Sequence, residues 1–218
     1  MRDRVAPRRR YDSPRRRAQA RATRQAVLEA ARELFIERGY VATTIDAIAT
    51  RASVAPETIY GAFGSKRTIL SELVDVAIAG GQEQPPVLEQ AWVKDLRDEP
   101  DPHRRVAILA RNGRAILARR AAMNAVVSGA AAADPDIAKL AARGKKERYL
   151  GQRRLLQIVV GGASLREGLD AATAADVLYA IGSPETYRLL VVDRGWSGAR
   201  FERWYGETLA RLLLEPPR

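Results

Sequence analysis

Residues 43–66 read TTIDAIATRASVAPETIYGAFGSK, and their spacing decides how this chain is built. Thr43-Thr44-Ile45-Asp46 fits a capping box, with Thr43 as N-cap and Asp46 reaching back to its amide. Ile45, Ile48, Ala49 and Ala52 then share one helical face. Ser53-Val54-Ala55 is a tight turn, and Pro56 sits where a following helix takes its first residue. That helix is brief, with Ile59 and Phe63 inward at i and i+4, and Gly64-Ser65 ends it. A further helix starts near Lys66 and runs to Ala79, before Gly80-Gly81. Short helices on one small core, joined by a three-residue turn, make the helix-turn-helix pattern.

Upstream, a helix over about 17–38 places Val27, Leu28, Ala31, Leu34 and Phe35 on one face, with Gly39 as its left-handed terminator. Before it lies an arm whose basicity dominates the chain. The protein has 218 residues and a formal net charge of +11, and residues 1–24 hold ten arginines against Asp3 and Asp12. Such an arm is expected to be a disordered polycation that binds phosphates without reading sequence, or simply a solvated tail. Downstream, breaks at Pro85-Pro86, Pro100–Pro102, Asp134-Pro135, Gly161-Gly162, Ser183-Pro184 and Gly195 separate periodic segments. Helices are expected over about 87–97, 103–118, 121–131, 136–160, 173–193 (bent near Pro184) and 197–214. The predicted class is all-α. A basic arm spans 1–16, a helix-turn-helix domain 17–65, a connecting helix 66–81 and a helical bundle 82–218.

The composition excludes several chemistries. With no cysteine and His103 as the lone histidine, thiol nucleophiles, disulfide scaffolds and multi-histidine metal sites drop out. No catalytic residue, metal site or cofactor is predicted, and His103, after Pro102, suits a capping or surface role. The longest apolar stretches fall short of the ~20 residues a bilayer crossing needs. Arg8-Arg9-Arg10 is followed by a polar segment rather than an apolar one, so it is not an export signal. A soluble, cytoplasmic protein without membrane partners is expected.

Thr43-Thr44-Ile45, Ile48-Ala49, Ala52-Ser53-Val54, Thr58-Ile59-Tyr60, Phe63 and Ser65-Lys66 together resemble the DNA-binding signature of TetR-type transcriptional regulators. Leu34-Phe35 and Gly39-Tyr40 fit as well, so the likeness covers about 25–72. Gly182–Tyr187 through Gly195-Trp196-Ser197 also resembles a C-terminal domain of one branch of that family. The resemblance implies a homodimer whose third helix enters the major groove of double-stranded DNA. It places Pro56, Glu57, Thr58, Tyr60 and Gly61 toward the groove, with Thr44 and Lys66 on phosphates. Tyr60 and Thr58 have hydroxyls for phosphate or thymine contacts, and Lys66 offers an ammonium at a helix start. Glu57 suits a cytosine amino group, or simply the dipole of its own helix.

Two departures stand out. Gly61-Ala62 replaces a larger pair, and Ser53 and Ala55 stand where Gly and a capping Ser are usual in such proteins. The small pair shortens the reach of the recognition helix. Arg15, Arg16 and Arg17 of the arm are therefore expected to compensate in the adjacent minor groove.

The resemblance further implies a small-molecule effector and a dimer interface built from two C-terminal helices. Candidate interface residues are Leu178, Ile181, Tyr187, Leu190, Trp204, Leu209 and Leu213, which equally suit the subunit's own core. Candidate effector contacts are Trp92, Met123, Asn124, Tyr149 and Gln152. The expected function is that of a sequence-specific regulator, a repressor released from a palindromic operator by its effector. The rival readings are a nonspecific nucleic-acid-coating protein and an enzyme using His103.

Overall fold

The computed structural model describes residues 14–161 and 165–216. Among these the chain is helical, apart from one antiparallel bridge between Leu165 and Leu214. The N-terminal helices are α1 (Pro14–Ala42), α2 (Ile45–Ala52), α3 (Pro56–Phe63) and α4 (Lys66–Ala79). The bundle comprises α5 (Ala91–Asp98), α6 (Pro102–Ala131), α7 (Pro135–Val160), α8 (Ala171–Ile181), α9 (Pro184–Tyr187) and α10 (Gly198–Leu213). A 3-10 turn precedes α5 at Val87–Glu89, and a π turn, Arg188–Asp193, follows α9.

Helix α1 begins earlier than its apolar stripe. Arg15, Arg16 and Arg17 lie in its first turns and are exposed, so the last part of the expected disordered arm is helical. Residues 1–13 of that arm lie outside the described residues. The main helical run ends at Gly39, whose φ of 78° and ψ of 166° turn the chain so that Tyr40 folds back onto Phe35, ring centroids 5.5 Å apart.

The expected capping box is corrected by one residue. Thr44 is the N-cap of α2, accepting from the Ala47 amide at 3.1 Å, and Asp46 makes no return bond among the described residues. Thr43 is instead wholly buried, and its hydroxyl reaches the carbonyls of Leu34 at 3.2 Å and Gly39 at 2.8 Å. An interior threonine is tolerable only because these carbonyls, freed at a helix end, receive it. Ser53 ends α2 in the left-handed region (φ 54°, ψ 45°), its amide donating to Ala49 and Thr50. That conformation costs a non-glycine residue on the order of 1 kcal/mol.

Two apolar cores organise the molecule. The first gathers Leu34, Phe35, Ile48, Ile59, Phe63, Ile69 and Leu70 of the N-terminal helices, with Met123 and Val127 of α6 and Ile137 of α7. The second holds Leu109, Leu156, Leu178, Phe201, Tyr205 and Leu209. Helix α6 thus serves both cores. It is one continuous helix rather than the expected pair, because Arg119-Arg120 interrupts the apolar pattern without interrupting helix propensity. The expected bent helix over 173–193 is divided at Gly182. There a Cβ would lie 2.5 Å from the Tyr205 hydroxyl and 2.8 Å from the Leu178 carbonyl, so the close approach requires glycine.

Replacing Thr43 with valine removes the donor and leaves two buried carbonyls short of a partner. Thr43→Val should lower the unfolding free energy by about 1–3 kcal/mol, read from urea denaturation at unchanged helix content.

Candidate nucleic-acid interface and cavity

Helix α3 turns Ile59 and Phe63 into the first core and Glu57, Thr58, Tyr60, Gly61 and Ala62 outward. Tyr60 is 55% exposed, a cost accepted by a large ring that a base edge or sugar would offset. Pro56, which has no amide proton, opens the helix behind Ala55, which caps with no side chain, and the Thr58 amide donates to the Ala55 carbonyl at 3.0 Å. Glu57 lies exposed in that first turn. Thr44 is exposed at the start of α2, and because its oxygen accepts from Ala47, its proton remains available to a phosphate.

Lys66 points elsewhere. Its ammonium donates to the carbonyls of Tyr40 at 2.8 Å and Thr43 at 2.6 Å, and it sits 4.3 Å from the centroid of the Tyr40 ring. Burial pushes this lysine below its ordinary value, with Asp134 working the other way. The expected phosphate contact is therefore corrected to a clamp joining the start of α4 to the end of α1. Only the third ammonium proton is left over.

Other cations of this unit are committed in the same manner. Arg24 bonds Glu72 through two nitrogens, reaches the Ala62 carbonyl at 2.9 Å and stacks on Phe63 at 4.2 Å. Arg51 is held by Glu37 and Glu33, chiefly the Glu37 bonds keeping it firmly charged. Arg32 pairs with Glu29 and Arg67 with Asp136. Between residues 25 and 80, Arg38 alone among the basic side chains is exposed without a hydrogen bond or ion pair to a described residue. The exposed arginines of the α1 start lie beyond it, and Arg15–Arg17 sit roughly 10–14 Å along the helix axis from Arg24 at 1.5 Å per residue.

Behind the interface lies a cavity of about 670 Å³. Helix α4 contributes Ser71, Val74, Asp75 and Ile78, facing apolar residues of α6, α7 and α8. Of the predicted effector contacts, Trp92, Asn124 and Gln152 line it. Met123 is 2% exposed within the first core, and Tyr149 packs edge-on to Tyr179 outside the lining; neither reaches the cavity. Gln152 donates to the Gly182 carbonyl at 2.7 Å, and Asn124 to Glu185 at 3.2 Å. The Trp92 indole donates to Gln90, which in turn bonds the Ala79 carbonyl at the end of α4 at 2.8 Å. Sequence reading missed the lining cations Arg120 and Arg148, because arginine-rich helix faces ordinarily read as solvated.

The predicted dimer contacts divide. Leu178, Tyr187, Leu209 and Leu213 are buried in the subunit's own second core, leaving no side-chain surface for a partner. Ile181, Leu190 and Trp204 are half-buried against the same core. The apolar side chains that stay exposed nearby are Leu189 (59%) and Val192 (63%) on the π turn, and Leu212 on α10. His103 sits at the start of α6, its ring nitrogen 3.1 Å from the Glu215 carbonyl and outside this cavity. Among the described residues, no helix is long and apolar enough to cross a membrane.

A short helix with an exposed face on a small helical unit, backed by a hollow helical bundle, is the helix-turn-helix arrangement. Residues 27–73 match the family profile described as bacterial regulatory proteins, tetR family. Over 181 residues, 82% of this chain and 84% of the relative, the sequence is 29% identical to the uncharacterized HTH-type transcriptional regulator YdeS of Bacillus subtilis. Among solved structures, NalD, the secondary repressor of the MexAB-OprM multidrug efflux pump in Pseudomonas aeruginosa, superposes with a TM-score of 0.67 at 19% identity, covering 91% of this chain and 100% of that one. FadR from Bacillus subtilis, in complex with stearoyl-CoA, gives 0.66 at 20% identity, covering 85% and 96%. At these identities the structural likeness shows the fold. Residues 27–73 thus resemble the DNA-binding segment of tetR-family regulators, and the likeness of fold extends across the rest of the described chain.

The clamp and the interface separate by experiment. Lys66→Met should cost about 1–3 kcal/mol of unfolding free energy through the charged donor lost to the Tyr40 and Thr43 carbonyls, whereas Tyr60→Phe should stay within ~0.5 kcal/mol of wild type. A Lys66→Met variant as stable as wild type in thermal melts would return this lysine to a surface role.

Proposed function

We propose that this protein is a ligand-responsive, sequence-specific regulator that binds a palindromic operator as a homodimer and represses until an effector releases it. The observation that carries this reading is the double duty of α4. Its first turns hold the DNA-binding unit through Lys66 and Glu72, and its later turns line the cavity with Val74, Asp75 and Ile78. A ligand that displaces the cavity wall would thus move the helix on which α3 is mounted. To shift the population from 1:99 to 99:1, the ligand must favour the released state by ~5.5 kcal/mol. That NalD is a repressor, and that FadR was solved with stearoyl-CoA, supports repression and ligand response by likeness of fold.

In this reading Pro56, Glu57, Thr58, Tyr60 and Gly61 face the major groove, and Thr44 meets a phosphate. Phosphate neutralisation is assigned to Arg38 and, on exposure, to the start of α1. Arg15, Arg16 and Arg17, carried on a helix rather than a loose arm, would follow the backbone beside the half-site. Dimerisation is assigned to the surface that includes Leu189, Val192 and Leu212, and it would set two recognition helices about 34 Å apart. The reading is not enzymatic.

The test is a titration against DNA from upstream of the protein's own gene, with a scrambled competitor at physiological salt. A preference of ~10³-fold or more is expected, and equal binding to both DNAs would favour the nonspecific coating protein instead. Replacing Arg15, Arg16 and Arg17 together with glutamine should flatten the slope of log affinity against log salt by about 2–3, at ~0.9 per phosphate contact. An unchanged slope would remove these arginines from the interface.

A further inference from the structure

The cavity is not electrostatically neutral in its interior, and the imbalance specifies a ligand chemistry. Arg120 lines it from the middle of α6, close to Gly144 of α7, where a Cβ would lie 4.0 Å from one guanidinium nitrogen. Among the described residues, Arg120 donates no hydrogen bond and makes no ion pair. Several other charged groups of the lining have partners. Arg148 bonds the Tyr179 carbonyl at 2.8 Å and stacks on its ring at 3.6 Å; Arg143 pairs with Glu147 at 2.7 Å; Glu185 receives Asn124. Asp75 faces Arg120 across the wall without pairing, and burial raises its carboxyl toward the neutral form. Burial pushes Arg120 below its ordinary value, and the nearby Arg148 cation does so next, outweighing the attraction of Glu185 and Asp75.

A guanidinium has five donors in a planar fork and keeps its charge when desolvated. Left without partners at an apolar wall, it is a costly group. An anion in the cavity would relieve that cost and the Arg148 repulsion together. An apolar part of the lining is formed by Val74, Ile78, Leu109, Leu117 and Leu155, with the indole of Trp92. We propose that the cavity takes an amphipathic organic anion, its carboxylate or sulfonate held by Arg120 and its apolar body lying among the α4, α6 and α7 side chains. The basic character of α7, where Lys145, Arg148 and Arg154 border the cavity, would steer such a ligand toward it. This inference rests on reading the cavity as the effector site and names the class of effector.

The experiment uses the full chain and two fluorescent probes that differ only in charge, anilinonaphthalene sulfonate and its neutral parent N-phenylnaphthylamine. Binding is read from probe emission and from quenching of Trp92, which lines the cavity. Arg120→Gln should weaken the sulfonate about tenfold to a hundredfold, the range of a charge-assisted hydrogen bond. It should leave the neutral parent within about twofold, and Arg120→Lys, which keeps the charge but not the fork, should restore part of the loss. Should Arg120→Gln not fold, the wild-type ratio and the Arg120→Lys variant carry the test, with the sulfonate expected at least about tenfold tighter than its parent. Equal affinities in the wild type, losses of the same size for both probes, or no quenching by the sulfonate would overturn the proposal. Sulfonate binding through Arg120 that leaves DNA affinity unchanged would instead remove the effector role and leave the anion site standing.

Discussion

The arrangement depends on one half-buried ammonium. Lys66 joins the start of α4 to the carbonyls that end α1, at Tyr40 and Thr43, and its charge lies over the Tyr40 ring. Two carbonyls beside the turn at Gly39 thereby gain a charged donor, worth more than a neutral one, that of Tyr40 in addition to the Thr43 amide. Thr43 satisfies the next carbonyls inward, at Leu34 and Gly39. Arg24 then reaches from α1 to Glu72 and to the last turn of α3. These bonds tie α3 to α1 and α1 to α4, and α4 also forms part of the cavity wall.

This economy of cations shapes the electrostatics of recognition. A unit that uses lysine and arginine to hold itself together has few left for phosphates. Its net charge over residues 25–80 is negative, whereas the start of the chain is strongly positive. Structural ion pairs inside and long-range attraction from a helical prolongation outside divide the two tasks. Exposed pairs such as Arg32 with Glu29 add little stability on their own. Their effect is to cancel charge that would otherwise be spread over the DNA-facing surface.

Much of the N-terminal unit was legible because periodicity and punctuation agreed. Ile48, Ile59 and Phe63 fall inward at helical spacing, and Pro56, Gly64 and Gly80 mark boundaries that the structure keeps. Which of two adjacent threonines caps a helix was not legible, because either hydroxyl can do so and only the position of α1 decides. Nor does sequence say where a lysine points. Lys66 has the same neighbours in the chain whether it faces a phosphate or the carbonyls of another helix. In the bundle, Met123 and Asn124 are consecutive, yet one enters the core shared with the DNA-binding unit and the other faces the cavity. A helix that serves two cores carries no single apolar stripe, and α6 for that reason read as two helices. Arg120 was overlooked for the converse reason, since a cation in an arginine-rich helix gives no sign in sequence that it has been left unpaired and partly buried.

The central claim is that occupancy of the cavity moves α3 through α4. Because the chain has no cysteine, a single Ala62→Cys substitution places one spin label on each recognition helix of a dimer. Electron–electron distance measurement across the dimer, with and without saturating anilinonaphthalene sulfonate, then reads the movement directly. The account predicts a separation near ~34 Å among the free-protein distances, as two half-sites one helical turn apart require, and a shift of several ångströms when the probe is bound. Superimposable distance distributions, with the probe demonstrably in the cavity, would contradict it.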